Sequence, residues 1–330
     1  PLTDRLDYLS SGTNNLAYIL AVEKLLGIEV PRRARFIRTI FSELSRIMSH
    51  LLWLGTHAAD VGAVTVLLYG LREREGVLDI IEETAGTRMM MTYFRPGGVV
   101  QDMVPGFQKK ISTFLDDLDV KVNEYERLLT KNRIWLRRTR GVGYISRADA
   151  ISLGLSGPAA RASGVDWDIR RDEPYEAYDE LEFKVPVLPD GDVYARYLVR
   201  IEEMRQSSRM LRQLLETIPE GPFIERTPKY VFPDKERLQN SMEAMIHHFK
   251  LVVEGLAPPK GEVYSSIEAP KGEIGFYIIS DGGPKPYRLR IRPPSFVNLQ
   301  SLLTMAKGNM LADVVAIIGS LDIVLGEIDR

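Results

Sequence analysis

The run from Ile47 to Leu71 limits the possible folds more than any other stretch. Its only side chains able to carry charge near neutral pH are His50, His57 and Asp60. A bare carboxylate in such an apolar run must be solvated at a kink, paired or protonated, because burying it alone costs several kcal/mol or more. The run is long enough to cross a bilayer. Asp60, two histidines, Gly55 and Gly62 argue against that and favour a buried helix interrupted near Gly55. Upstream, Phe36, Ile37, Ile40, Phe41, Leu44, Ile47, Met48, Leu51 and Leu52 recur at helical spacing behind Pro31, a helix-starting residue.

The remaining chain is read around this helix. Asn14 to Leu26 is helical and stops at Gly27. Further helices are expected over Val61–Leu71, Val77–Ala85, Gln108–Arg138, Val193–Thr217, Leu238–Glu254 and Leu311–Leu321. Residues Gly141 to Asp192 are rich in Gly, Pro and charge and read as loops with short helices and a strand near Glu182–Val187. Val263–Ile267, Ile274–Ser280 and Tyr287–Ile291 form an antiparallel meander, with turns at Pro270-Lys271-Gly272 and Asp281-Gly282-Gly283. The basic start Arg32, Arg33, Arg35, Arg38 reads as a solvated face, and Met89-Met90-Met91 as core filler. The class is mainly α with a small antiparallel sheet, in a single domain over 1–330.

Composition removes several chemistries. The chain has no cysteine, which excludes disulfides, thiolate zinc sites, cysteine nucleophiles and any cysteine-held iron–sulfur cluster on this chain. Only His50, His57, His247 and His248 remain as imidazole ligands, and none is placed for a metal. A net charge of -2 gives no electrostatic case for nucleic acid. Phosphate loops, GxSxG and HExxH are missing. The first residue is Pro1, so the natural start is expected upstream.

Ordered blocks along nearly the whole chain carry a resemblance. They include Arg5-Leu-Asp-Tyr8, Glu43-Leu-Ser-Arg46, Asp60-Val-Gly-Ala63, Arg95-Pro-Gly-Gly98 and Arg161-Ala-Ser-Gly164. Downstream are Tyr197–Arg205, Glu268-Ala-Pro-Lys-Gly272, Ser280–Gly283, Asp313–Gly319 and Asp322–Arg330. With these the chain resembles the D-type, or 49 kDa, subunit of proton-pumping NADH–quinone oxidoreductase, respiratory complex I. That family is similar to the large subunit of nickel–iron hydrogenases, so the resemblance implies a hydrogenase-large-subunit-like fold. The hydrogenase metal motif DPCxxC corresponds to Asp322–Glu327, with Val324 and Glu327 where the thiolates stand. No metal is expected there; the cavity becomes part of a quinone headgroup site.

The resemblance implies roles for individual residues. Tyr8 would hydrogen-bond a quinone carbonyl and supply a proton. Asp60 would belong to the acid relay. Arg5 would lie near a terminal 4Fe-4S cluster held by a partner subunit, and Thr56 and Val324 would line the pocket. The implied partners are cluster-bearing B-type, C-type and I-type subunits and a membrane H-type subunit. NADH would be oxidised elsewhere in the complex, and the chain would be inactive alone. The implied location is peripheral, on the cytoplasmic side of a bacterial membrane or the matrix side in mitochondria. The alternative is a scaffold subunit of a related membrane-bound oxidoreductase or hydrogenase complex with a different donor, such as ferredoxin. The family's N-terminal hairpin, whose histidine pairs with the relay acid, is absent from a chain beginning at Pro1.

Met90 stands where the family often has a histidine near the cluster. Methionine exchanges no proton, so the midpoint potential of that cluster is expected to vary little with pH. A redox titration across pH 6 to 8 checks this. A fall of about 59 mV per pH unit, the signature of a one-electron, one-proton couple, contradicts it.

Overall fold

The computed structural model describes residues 1–225 and 230–329, so the last residue of the Asp322–Arg330 block lies outside the described residues. The long helices are α1 (Ser11–Leu26), α2 (Arg32–Asp60), α3 (Val64–Ala85), α4 (Phe107–Leu129), α5 (Val193–Thr217), α6 (Met242–Val253) and α7 (Leu311–Leu321). Strands β1 (Gly261–Ala269), β2 (Gly272–Ser280) and β3 (Arg288–Arg292) form an antiparallel sheet in that order. Register pairs Ile267 with Ile274 and Phe276 with Ile291. The three expected strands are thus present, the first two longer than expected and the third shifted by one residue.

Helix α2 is the axis of the molecule. Its apolar stripe is buried from Phe36 to Leu54, and its polar residues Thr39, Glu43, Arg46, Ser49 and His50 are buried too. A helix buried nearly all round needs neighbours on every side, and α1, α3, α5 and α7 supply them. No helix among the described residues is long and apolar enough to cross a membrane.

The expected break at Gly55 does not occur; α2 continues to Asp60. Gly55 instead admits the next helix. A Cβ there would lie 2.9 Å from Leu67 Cα, and one at Gly70 would lie 2.7 Å from the Leu51 carbonyl oxygen. The pair lets the backbones of α2 and α3 touch, so glycine here serves contact rather than kinking. Val61–Leu71 and Val77–Ala85 also merge into one helix, α3.

Two other expectations change. Glu182–Val187 is not a strand. Its backbone amides at Glu182 and Lys184 donate to Gln213 and Gln206 of α5, at 2.9 and 3.0 Å, so side chains replace a partner strand. Nor is the basic start of α2 a solvated face throughout. Arg38 is fully buried, 2.6 Å from Glu23 and 2.8 Å from Glu176. Leu238–Glu254 divides at Ser241 into Lys235–Asn240 and Met242–Val253, but much of the remaining periodicity holds. In α4, Phe107, Ile111, Leu115, Leu118, Val122, Tyr125 and Leu129 are buried at intervals of three and four. Asn132 then caps a new helix, Arg133–Thr139, splitting the expected Gln108–Arg138 segment.

Candidate functional site

Asp60 ends α2, and the chain leaves through Gly62, whose φ of 108° only glycine adopts readily. The carboxylate is exposed. The puzzle of the acid in the apolar run is therefore resolved by solvation at the helix end, and Asp60 is not a buried acid. One turn earlier, Thr56 is exposed and donates its hydroxyl to the Leu52 carbonyl at 3.1 Å.

Helix α7 lies against this end of α2. Trp53 Nε1 donates to the Gly319 carbonyl oxygen at 2.6 Å. A Cβ on Gly319 would sit 2.6 Å from His57 Nδ1 and 3.5 Å from Asp60 Oδ2, so only glycine allows this approach. Between the helices is a cavity of about 300 Å³, lined by Trp53, Thr56 and Asp60 on one side and Val315, Ile318, Gly319, Asp322 and Ile323 on the other. That volume is at the small end of ligand sites and suits one ring. A larger cleft of about 740 Å³, bordered by Glu23, Trp167 and Tyr264, shares no lining residue with it.

The wall behind the cavity is positively charged. Arg200 lies over the Trp53 ring, 4.4 Å from its centroid, and donates to the Ser320 carbonyl at 2.9 Å. Its Nε and Nη2 are buried with no hydrogen-bond partner among the described residues. Arg196 is equally buried and donates to Ser320 Oγ at 2.9 Å; burial, with the Arg200 charge, pushes its guanidinium down to about 9. His57 is sandwiched between Trp53 and Trp135, both 5.3 Å away. Burial, reinforced by Arg200 and Arg196, pushes it down to about 3, so the ring is neutral. His50 is likewise a core residue, 2.8 Å from Glu203. Neither histidine joins a metal-ligating cluster among the described residues.

Tyr8 follows a 3-10 turn, Thr3–Arg5, and is 39% exposed. Its ring packs on Gly326, where an added Cβ would lie 3.2 Å from Tyr8 Cδ1 and 2.5 Å from the Leu6 carbonyl oxygen. The segment 322–328 therefore borders the cavity at Asp322 and Ile323 and carries the Tyr8 turn at Gly326. Val324, between them, is buried just beyond the cavity wall. Arg5 is exposed and its guanidinium turns back to the Pro1 carbonyl.

Sequence reasoning missed the group that ties these parts together. Lys271, in the β1–β2 turn, is fully buried and donates to Asp7 Oδ2 and Ser49 Oγ, each at 2.9 Å. Asp322 Oδ2 is 3.4 Å away. Burial opposes the ammonium charge, but Asp322, Asp7 and Glu327 outweigh it and hold Lys271 above its ordinary range. Lys271 sits inside the Glu268–Gly272 block, but its burial depends on carboxylates far away in sequence.

A second buried network fixes the scaffold. Glu203 accepts from Arg161 at 2.6 Å and lies 2.8 Å from His50 Nε2; Arg161 also pairs with Glu268 at 2.7 Å. Glu43 lies 3.2 Å from Arg46 and accepts from Ser207 and Tyr178, each at 2.6 Å. Burial works against ionising Glu203, but Arg161 and His50 outweigh it and hold the carboxyl well below its usual range.

Comparison with known proteins bears on the whole chain. Residues 60–330 match the family described as the respiratory-chain NADH dehydrogenase, 49 Kd subunit. The chain is 56% identical over 330 residues to the D-type subunit of the NADH-quinone oxidoreductase of Geotalea uraniireducens, covering all of this chain and 85% of that protein. Its counterpart in Geobacter sulfurreducens gives the same values. The counterpart in Citrifermentans bemidjiense is 54% identical, covering all of this chain and 85% of the relative.

His57 sets a pH test. Unfolded, an imidazole takes a proton below about 6.5; folded, His57 takes one only near 3. Its stabilising contribution is therefore full above pH 6.5 and is lost as pH falls toward 3. Over pH 6 to 4.5 it contributes a slope of about 1.4 kcal/mol per pH unit. Urea unfolding of the purified chain with His57→Phe is expected to show that much less acid sensitivity than the parent. Equal slopes contradict the assignment.

Proposed function

Because the chain belongs to the 49 kDa subunit family of respiratory-chain NADH dehydrogenases, we propose that it is the quinone-site subunit of a proton-pumping NADH–quinone oxidoreductase. The observation that carries the reading is one C-terminal segment, 322–328, bordering the Thr56–Asp60 cavity and packing on the Tyr8 ring. Identity above half over the full chain, with relatives named for this reaction, supports it. The main-chain architecture, mainly helical with a small sheet, supports a hydrogenase-large-subunit-like fold.

In this reading, two electrons arrive one at a time from a 4Fe-4S cluster held by a B-type partner near Arg5. C-type, I-type and membrane H-type subunits complete the surroundings, and the chain is peripheral to the cytoplasmic face of a bacterial membrane. NADH is oxidised by other subunits.

The residues of this chain bind, polarise and protonate. The quinone ring enters the cavity between Thr56 and Ile318 with its carbonyl oxygens toward polar groups. Tyr8, partly exposed, donates a hydrogen bond to one carbonyl oxygen and passes it a proton on reduction. Asp60, open to solvent, relays the second proton. Negative charge developing on the ring is felt by Arg196 and Arg200, which lie behind Trp53 and Ser320 rather than in the cavity lining and whose charges are fixed before the substrate arrives. Buried charges held in place before the substrate arrives stabilise such charge without rearrangement.

Tyr8→Phe in the assembled complex tests the reading. Loss of a positioned proton donor lowers quinone reductase activity by about a hundredfold, while NADH oxidation by an artificial electron acceptor stays unchanged. Full quinone reductase activity in Tyr8→Phe marks the chain as a scaffold with no chemical part.

A further inference from the structure

Beneath the Tyr8 turn lies a buried group of ionisable side chains that the steps above do not use. Asp7, Lys271 and Glu327 are fully buried, and Asp322 is nearly so. They come from four separate parts of the chain: the turn before α1, the β1–β2 turn, the C-terminal segment and the end of α7. Three carboxyls thus share one ammonium. If all were ionised, these four would carry a net charge of -2, offset from outside the group only where Arg200 faces Asp322. Such an excess is relieved most cheaply by one proton.

Geometry selects the carboxyl that holds it. Asp7 accepts from Lys271 at 2.9 Å, from the Leu9 amide at 3.1 Å and from the Ser10 hydroxyl. Asp322 borders the cavity, and its Oδ2, which likewise has no hydrogen-bond partner among the described residues, is paired with the Lys271 ammonium at 3.4 Å. Glu327 is held by Ser295 alone, through its amide at 3.0 Å on Oε2 and its side chain, forms no ion pair with Lys271, and its Oε1 is buried with no hydrogen-bond partner among the described residues. The least solvated carboxylate is the one that takes the proton. Glu327 follows Gly326, which touches the Leu6 carbonyl and the Tyr8 ring.

We propose that Glu327 is the proton store of the Tyr8 site, keeping in its neutral carboxyl the proton that recharges Tyr8 after the phenol has protonated the quinone. The inference rests on the reading of Tyr8 as proton donor. The balance is direct. Quinone takes two electrons from the partner's iron–sulfur cluster and two protons, one through Asp60 and one from the Tyr8 hydroxyl. The O–H bond of Tyr8 breaks, leaving a phenolate. The Glu327 O–H then breaks as the phenol O–H reforms, leaving a carboxylate faced by Lys271, Asp7 and Asp322. Solvent at the cavity returns the proton to Glu327 by way of Asp322. Burial and the Asp7 charge push Glu327 up to about 7, between an ordinary carboxyl and a phenol. Transfer to a phenolate is then downhill, and refilling near neutral pH is easy. Glu327 touches no substrate and is a positioning residue; its signature is a pH profile.

The test is NADH:quinone reductase activity of the assembled complex from pH 6 to 8.5 with Glu327→Gln, Glu327→Asp and Tyr8→Phe. In the parent, the rate falls as pH rises through about 7 and Glu327 ionises. Glu327→Gln is expected to lose this limb and run about tenfold slower below pH 7, with the KM for quinone unchanged. Glu327→Asp is expected to keep the limb but move it to lower pH. A parent-like profile in Glu327→Gln, beside an inactive Tyr8→Phe, overturns the store and leaves the function standing. An active Tyr8→Phe overturns the function itself. Should Glu327→Gln fail to assemble, Glu327→Asp decides: a shifted limb supports the store, and an unshifted one overturns it.

Discussion

The molecule depends on pairing charge inside a helical core. Helix α2 is buried on all sides, yet it brings Glu43, Arg46 and His50 with it. Each would cost several kcal/mol alone. They are tolerated because α5 presents Glu203 and Ser207, the loop region presents Arg161, Asp168 and Arg170, and the end of β1 presents Glu268. Arg170 and Arg161 hold Asp168 down to about 2 despite its burial. Removing one partner strands the other, which is why buried pairs cost far more to break than they contribute net. The long irregular stretch 141–192 adds Arg161 and Arg170 to the buried arginines that α2 and α5 carry.

The site inherits its precision from this scaffold. Two glycines on α2 and α3 let their backbones touch, and a third, Gly319, lets α7 reach the end of α2. The cavity is the remaining space between those helices. Lys271 joins the two halves of the chemistry, since one ammonium holds Asp7 beside Tyr8 and Asp322 at the cavity wall. Local charge follows from position: arginines behind Trp53 and Ser320, carboxyls beneath the Tyr8 turn, and a solvated acid at the cavity rim.

Much of this was legible in sequence where periodicity alone decides. The stripe of α2, the C-terminal end of α1, both ends of α7, and the three-stranded meander needed only spacing and turn residues. Gly55 misled because a glycine in a helix reads as a break, while close packing on Leu67 comes from residues in another helix. Glu182–Val187 looked like a strand because nothing local shows that Gln206 and Gln213 satisfy its amides. Asp60 looked anomalous as an acid inside an apolar run, but it is an ordinary exposed residue at the end of α2, which spacing alone does not locate. Tyr8, Thr56 and Val324 rested on family resemblance; composition and spacing offered no signal for them. Lys271 and Glu327 were invisible as a pair, because their meaning lies in a contact between the β1–β2 turn and the C-terminal segment.

The central claim is that quinone is reduced in the space between the end of α2, helix α7 and the Tyr8 turn. Photoaffinity labelling of the assembled complex with an azidoquinone, mapped by peptide mass spectrometry, tests it most directly. The account predicts label on peptides containing Thr56–Asp60, Val315–Ile323 or Tyr8, competed away by excess unlabelled quinone. Competable label confined to other subunits, or to the cleft bordered by Glu23, Trp167 and Tyr264, would contradict it.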